Sequence, residues 1–283
     1  MNNPWLDRRV LNYAHQGGAR EAPSSTLLAL RQAVAAGADG LELDVHATAD
    51  GELVVCHDAT VDRTTGGVGA IATLSVAEVQ QLDNAYWWVP GEVVAPGRPD
   101  HEYIHRGRAP EDHDLRIATL REVLEAWPGV FLNLDIKQTA PAVKPYEAAL
   151  AGVLREYGRQ DDVIVASFND AATAAFAAVA PEIPTSAGTL ATAAFWQAVQ
   201  QQAEPPAIGH VALQVPAAYE AITIVDERFV ACAHRHGLAV HVWTIDEPDE
   251  RQRLIDLGVA GIMSDRPPVL EGVLQAARVA WSG

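Results

Sequence analysis

The sequence predicts an α/β protein: a single (β/α)8 TIM barrel over residues 1–283, with a β-hairpin after the second strand and a lid-like insertion. Three observations predict it. Short β-rich runs alternate with helical runs almost throughout, which argues for βαβ units and a parallel sheet. One gap between candidate strands is too short for a parallel crossover. With that strand set aside as a hairpin, eight strands and eight helices remain in strict alternation, the count of such a barrel.

The elements follow in order. A strand at residues 10–14 precedes a helix at 26–36, and a second strand at 40–45 follows Gly37-Ala38-Asp39. Only residues 46–52 separate that strand from the next apolar run at 53–56. A parallel crossover needs at least ~10–12 residues. The connection carries Ala49-Asp50-Gly51, a tight-turn signal. Residues 53–56 therefore return antiparallel beside the second strand, with Asp44 opposite position 57.

Residues 66–116 then interrupt the alternation. They are rich in Pro, Gly and aromatics, including Tyr86-Trp87-Trp88-Val89-Pro90. A long insertion between barrel elements reads as a lid or specificity loop on the catalytic face, with a structural flap as the other reading. Beyond it come a helix at 119–127, a strand at 130–136, a helix at 142–157, a strand at 163–167, a helix at 170–179 and a strand at 183–187. A helix at 191–201, a strand at 211–215, a helix at 226–236, a strand at 239–244, a helix at 248–257, a strand at 261–264 and a helix at 268–280 complete the series. Gly37, Gly158, Gly237 and Gly258 follow helical runs, as helix C-caps require.

Composition narrows the function. Apolar residues at 49% and charged residues at 20% exclude a disordered chain. A formal charge of −17 argues against a nucleic-acid partner, whose binding runs on basic residues. A phosphate substrate would need a local cation to overcome this field. Two cysteines, Cys56 and Cys232, make no disulfide framework and read as buried thiols. The first residues lack an apolar core segment, and no apolar run reaches the ~20 residues of a membrane span. The expectation is a cytoplasmic protein without stable membrane insertion, with a homo-oligomer left open.

Function in such a barrel gathers at the C-terminal ends of the strands. His15 ends the first strand, and Glu42 and Asp44 share one face of the second. Two adjacent inward carboxylates repel unless a cation or a basic side chain lies between them. His57 ends the returning strand and comes back beside them. In Asn133-Leu134-Asp135-Ile136-Lys137 the alternation turns Asn133, Asp135 and Lys137 inward. Three carboxylates suit a hard divalent ion such as Mg2+ or Ca2+. Lys137 either holds a phosphate oxygen or pairs with Asp135. Trp243 shares a face with His241 and either walls a pocket or packs in the core.

These residues resemble a known family. His15-Gln16-Gly17-Gly18, Pro23-Ser24-Ser25-Thr26, Glu42-Leu43-Asp44, His57-Asp58 and Asp62-Arg63-Thr64-Thr65 are similar, in order, to motifs of the glycerophosphodiester phosphodiesterases. Leu134-Asp135-Ile136-Lys137, Ser167-Phe168, Val242-Trp243-Thr244-Ile245 and Gly261-Ile262-Met263-Ser264-Asp265-Arg266-Pro267 continue the match along the chain. The resemblance implies metal-dependent hydrolysis of a small-molecule phosphodiester to glycerol 3-phosphate and an alcohol. It implies one divalent cation, Mg2+ or Ca2+, on Glu42, Asp44 and Asp135. It implies His15 and His57 as the acid–base pair and Lys137 as a phosphate contact.

The sequence departs from the family at three places. Gln16 stands where the family has Arg, which removes a bidentate phosphate clamp and leaves an amide in its place. Ser24 replaces an acidic residue, and Asp135 replaces Glu. Two other readings compete. One is a lysophospholipase D-type activity in which a Trp87-Trp88 flap admits an acyl chain. The other, of a different class, is a non-catalytic phosphodiester-binding barrel.

Overall fold

The computed structural model describes residues 3–6 and 10–277. Its elements run β1 (Leu11–His15), α1 (Leu27–Ala35), β2 (Gly40–Ala47), β3 (Leu53–Val55), α2 (Val76–Val79), α3 (Leu120–Ala126), β4 (Phe131–Ile136), α4 (Glu147–Glu156), β5 (Val163–Ala166), α5 (Asp170–Val179) and β6 (Ser186–Ala187). They continue with α6 (Thr189–Gln200), β7 (Ala212–Pro216), β8 (Ala218–Tyr219), β9 (Ile222–Thr223), α7 (Glu227–Arg235), β10 (Ala239–Trp243), α8 (Pro248–Asp256), β11 (Gly261–Ser264) and α9 (Pro267–Ala276). The parallel strands lie in the order β5-β4-β2-β1-β11-β10-β7-β6. A parallel bridge between Val165 and Thr185 joins the two ends. The result is the (β/α)8 barrel that the alternation predicts.

Local sequence explains the element ends. Thr26 caps α1 by accepting from the Ala29 amide, and Thr119 and Glu122 form a reciprocal capping box on α3. Helix α4 starts at Glu147 rather than 142, because Pro145 disfavours a helical residue before it. Strand β6 forms only at Ser186–Ala187, since Pro184 has no N–H to give a ladder. The β8–β9 hairpin is too short to leave a periodic signal. The predicted last helix is observed through Ala276, and residues 278–280 lie outside the described residues.

Strand β3 does return antiparallel on β2, paired Val45 to Val55. Asp44 therefore faces Cys56, one residue short of the expected register, and the Cys56 amide donates to the Asp44 carbonyl at 3.0 Å. His57 stands just past the pairing. Cys56 and Cys232 are both buried free thiols.

Two layers of packing position the site. Leu41, Leu43, Val45, Leu132, Leu134 and Ile136 face outward into a core shared with Leu150, Leu154 and Phe176. Truncating one such leucine to Ala costs about 2–5 kcal/mol. Inside the barrel, Trp5, Leu11, Tyr13, Ile164 and Met263 fill the floor. A Cβ at Gly40 would lie 2.6 Å from the Tyr13 ring, so only glycine lets β2 pass there. His241 also sits in this floor against Tyr13 and Trp5, and burial pushes it down to about 4, leaving it neutral. The inward carboxylates of β2 and β4 therefore stand above an apolar plug.

The insertion packs on the β1–α1 loop. Trp88 Nε1 donates to the Ala19 carbonyl at 3.0 Å, and Asn84 Nδ2 donates to the Ser24 carbonyl at 2.9 Å. Trp87 Nε1 donates to the Thr65 carbonyl at 2.8 Å, while the Arg106 guanidinium stacks among Tyr86, Trp87 and Tyr103. No helix among the described residues is long and apolar enough to cross a membrane.

Candidate active site

The ends of β1, β2, β4, β5, β7 and β10 open into a cavity of about 710 Å3. Its lining contains His15, Glu42, Asp44, His57, Asp135, Lys137 and Trp243. Seven of the eight residues singled out from the sequence thus share one cavity. The eighth, Gln16, lies buried behind His15, with its amide nitrogen 3.3 Å from His15 Nε2. Trp87 and Trp88 do not line the cavity, and neither does any residue of 66–116. Their indole N–H groups are committed to the Thr65 and Ala19 carbonyls, so the chain-admitting role assigned to them has no geometric basis.

Each histidine is held by a carboxylate on its Nδ1. The chain leaves β1 through Gln16, Gly17 and Gly18, with φ of 51, 86 and 88 degrees. A Cβ at Gly17 would stand 2.8 Å from Leu30, so the turn fits only glycine. This turn sets His15 beside the end of β11, where Asp265 Oδ1 lies 2.6 Å from His15 Nδ1. Asp265 is itself fixed, its amide donating to Asp246 Oδ1 at 3.0 Å. His57 Nδ1 lies 2.5 Å from Asp58 Oδ1, and Arg63 Nε donates to Asp58 Oδ2 at 2.6 Å. Both imidazoles are thereby oriented by a carboxylate on the ring nitrogen opposite Nε2.

Electrostatics separates these groups. Burial opposes charging His15, but the Asp265 hydrogen bond and the Glu42, Asp265 and Asp44 charges outweigh it and raise His15 to about 9. Burial, with Asp44 adding to it, pushes Glu42 up to about 8 against the pull of His15 and Lys137. Burial also raises Asp135, and Lys137 partly offsets it. Asp44 and Asp135 hold Lys137 well above the usual amine range despite burial.

Lys137 Nζ lies 2.8 Å from Asp44 Oδ1 and 2.9 Å from Asp135 Oδ2. The lysine therefore pairs with both acids, one of the two readings open from the sequence. Among the described residues, no three acidic, histidine or cysteine side chains stand as a ready-made metal shell. The donor set nevertheless fits a hard divalent ion. Asp44 Oδ2 and Asp135 Oδ1 are buried with no hydrogen-bond partner. Orphaned buried carboxylate oxygens are costly unless a cation or donor meets them. Glu42 stands beside them, and all the oxygens are of the type Mg2+ and Ca2+ prefer.

Sequence reasoning gave Asp265 and the Asp58–Arg63 clamp no role, although each lies within a motif noted there. It missed the Gln214–Asn133 amide pair across the cavity at 2.5 Å, and it gave no role to Phe168, quoted within a motif, which packs edge-on to Trp243 at 5.4 Å. A signal existed for Asp265: the last strand of a barrel neighbours the first, so its end meets His15.

Comparison with known proteins places these features. The model of the glycerophosphoryl diester phosphodiesterase family matches residues 15–269. A glycerophosphodiester phosphodiesterase of Caldanaerobacter subterraneus is 31% identical over 268 residues, 93% of this chain and 96% of that one. A Bacillus subtilis protein of the same name is 27% identical over 274 residues, covering 94% and 86%. Among solved structures, an Oleispira antarctica phosphodiesterase in complex with the product sn-glycerol-3-phosphate superposes with a TM-score of 0.70 at 25% identity, over 93% of this chain and 96% of that one. A glycerophosphoryl diester phosphodiesterase domain from Mycobacterium tuberculosis gives a TM-score of 0.75 at 22% identity, over 95% and 99%, a likeness of fold.

Proposed function

The chain belongs to the glycerophosphoryl diester phosphodiesterase family, and on that premise we propose that it hydrolyses glycerophosphodiesters to glycerol 3-phosphate and an alcohol. The observation that carries the reading is the pair of carboxylate-held histidines, His15 with Asp265 and His57 with Asp58, opening on one cavity.

The reaction adds water across one P–O bond. His57 takes the proton of the attacking oxygen, either water or the glycerol 2-hydroxyl; in the second case a cyclic phosphate forms as the alkoxide leaves, and water then opens it. His15, which the Asp265 hydrogen bond and charge help keep protonated at neutral pH against burial, gives its proton to the departing alkoxide. Each role contributes roughly 10²–10⁴-fold. Asp265 and Asp58 fix the tautomers and stabilise the charged imidazole, as the carboxylate of a triad does. Lys137 has three N–H donors and uses two on Asp44 and Asp135, so one remains for a phosphate oxygen. Gln16, which replaces the family arginine, contributes neutral hydrogen bonding beside His15.

Glu42, Asp44 and Asp135 would hold a divalent cation, Mg2+ or Ca2+. When bound it supplies charge neutralisation to the phosphate oxygens and to the carboxylates themselves.

The test is release of glycerol 3-phosphate from glycerophosphocholine, glycerophosphoethanolamine and glycerophosphoglycerol. Activity is expected to vanish in chelator and return with Mg2+ or Ca2+. Activity that persists in chelator removes the cation. Tight binding of all three diesters with no turnover establishes the non-catalytic barrel instead.

A further inference from the structure

We propose that the half of the cavity away from the carboxylates is a hydrocarbon subsite, and that the preferred glycerophosphodiester carries a single acyl or alkyl chain on its glycerol. The inference rests on the hydrolytic reading above and names the substrate class of that site.

The cavity is divided by chemistry. Every carboxylate, ammonium and imidazole in its lining comes from β1, β2, β4, the segment just after β4, or His57 beyond β3. The rest of the lining carries Phe168, Trp196, Val215, Tyr219, Ile224 and Trp243, with the Thr192 hydroxyl among them; Phe168 is where the two parts meet, its ring 5.6 Å from Lys137 Nζ and edge-on to Trp243. Trp196 commits its only polar atom to the backbone, Nε1 donating to the Ile224 carbonyl at 3.1 Å, so it offers the cavity only apolar surface. A cavity of about 710 Å3 lies within the roughly 300–1,000 Å3 of sites that enclose drug-sized ligands. The glycerophosphate group, held at the charged end, leaves most of it to fill.

The apolar surface continues outward. Phe168 is 57% exposed and Tyr219 63%, both in the wall itself. Leu190, next to the lining residue Thr189, is 76% exposed, and Ile222, paired with Tyr219 across the β8–β9 hairpin, is 48% exposed. Contiguous exposed apolar side chains mark a binding surface. Here Phe168 packs on Lys137 at 5.6 Å and is itself exposed, so apolar surface leads from the reaction centre to solvent, as a chain requires. A quaternary ammonium recognised by aromatic faces would need a compact cage. It would leave Val215, Ile224 and the apolar rim without contacts.

The experiment compares glycerophosphocholine with monoacyl glycerophosphocholines of six, eight and ten carbons, all below their micelle concentrations. Choline release is read in every case. The P–O bond to choline breaks, water supplies its hydroxyl to phosphorus and a proton to choline, and the other product is the glycerol phosphate with or without its chain. We expect kcat/KM to climb with chain length, by ~100-fold or more at eight carbons, since each buried methylene contributes severalfold. Ile224→Asp puts a charge in the wall, and the ratio of eight-carbon to chainless kcat/KM is expected to fall by about tenfold or more. A flat or falling series in the unaltered enzyme overturns the subsite, and so does an unchanged ratio in the variant. Hydrolysis of glycerophosphocholine without a chain effect strikes this inference alone. No choline release from any of them strikes the hydrolytic reading and takes the subsite with it.

Discussion

The two ends of one cavity were built by opposite means. At the charged end, rigid parallel strands carry Glu42, Asp44 and Asp135, with pairing that fixes Asp44 beside Asp135 across β2 and β4. At the apolar end, Phe168, Trp196, Tyr219 and Ile224 come from loops, a helix face and the β8–β9 hairpin, whose strands have two residues each. The strand-borne carboxylates keep a placement fixed by the sheet, while loop-borne groups at the other end set size and polarity. The comparison teaches that chemistry and selectivity in this barrel are separable. Changes at the first end should strike kcat, and changes at the second should redistribute substrates.

The largest effects should therefore come from the histidines. His15→Ala and His57→Ala are each expected to lower kcat by at least ~10²–10⁴-fold, with the circular-dichroism spectrum and melting temperature nearly unchanged. Full turnover in either variant would remove it from the mechanism. Asp265→Asn should come next. The amide keeps the shape but fixes the wrong tautomer of His15, and a loss of about 10²-fold or more in kcat is expected with KM within twofold. A purely structural role would instead move the melting temperature and leave the KM-to-kcat split and the pH profile alone.

The same contrast governs what could be read from the sequence. Charged residues inside apolar strand runs are conspicuous, so Glu42, Asp44, Asp135 and Lys137 were legible, and the short 46–52 connection delivered His57 to within one residue. The barrel was legible because eight alternations leave few other arrangements. Trp196 and Ile224 were not, because an aromatic on an amphipathic helix and an isoleucine before a helix look the same whether they face a core or a cavity. The β8–β9 hairpin spans too few residues for any period to show. Trp87 and Trp88 misled for the converse reason: a conspicuous aromatic pair in a long insertion suggested a wall, yet both are locked to Thr65 and Ala19. Asp265 was missed because its contact with His15 spans nearly the whole chain, and only barrel closure brings them together.

A smaller, graded effect should separate the charged end from the apolar one by pH. Burial and Asp44 hold Glu42 protonated up to about 8. Without a cation, this carboxyl binds its proton more tightly folded than unfolded. Its contribution to stability is thus full below the unfolded value of 4.5 and lost as pH rises through about 8. A cation must displace that proton, so apparent affinity for Mg2+ or Ca2+, read by thermal shift, should rise about tenfold per unit between pH 6 and 8 and then level off. Glu42→Gln should flatten the slope. A pH-independent affinity would show that Glu42 is not among the ligands.

The smallest effect tests whether the insertion belongs to either end. Trp88 is buried at 4% exposure, and its indole N–H reaches the Ala19 carbonyl on the loop that follows His15. Trp88→Phe removes that hydrogen bond and leaves a buried acceptor unpaired, a cost of about 1–3 kcal/mol. If the flap is a clamp on the β1–α1 loop, the melting temperature should fall by a few degrees, since 1 kcal/mol shifts it by roughly 2–4 °C in a chain of this size. The chain-length series should then keep its slope, because no residue of 66–116 touches the cavity. A change of slope with an unchanged melting temperature would make the insertion a lid and move the selectivity of this enzyme from the β7–α7 side to the opposite rim.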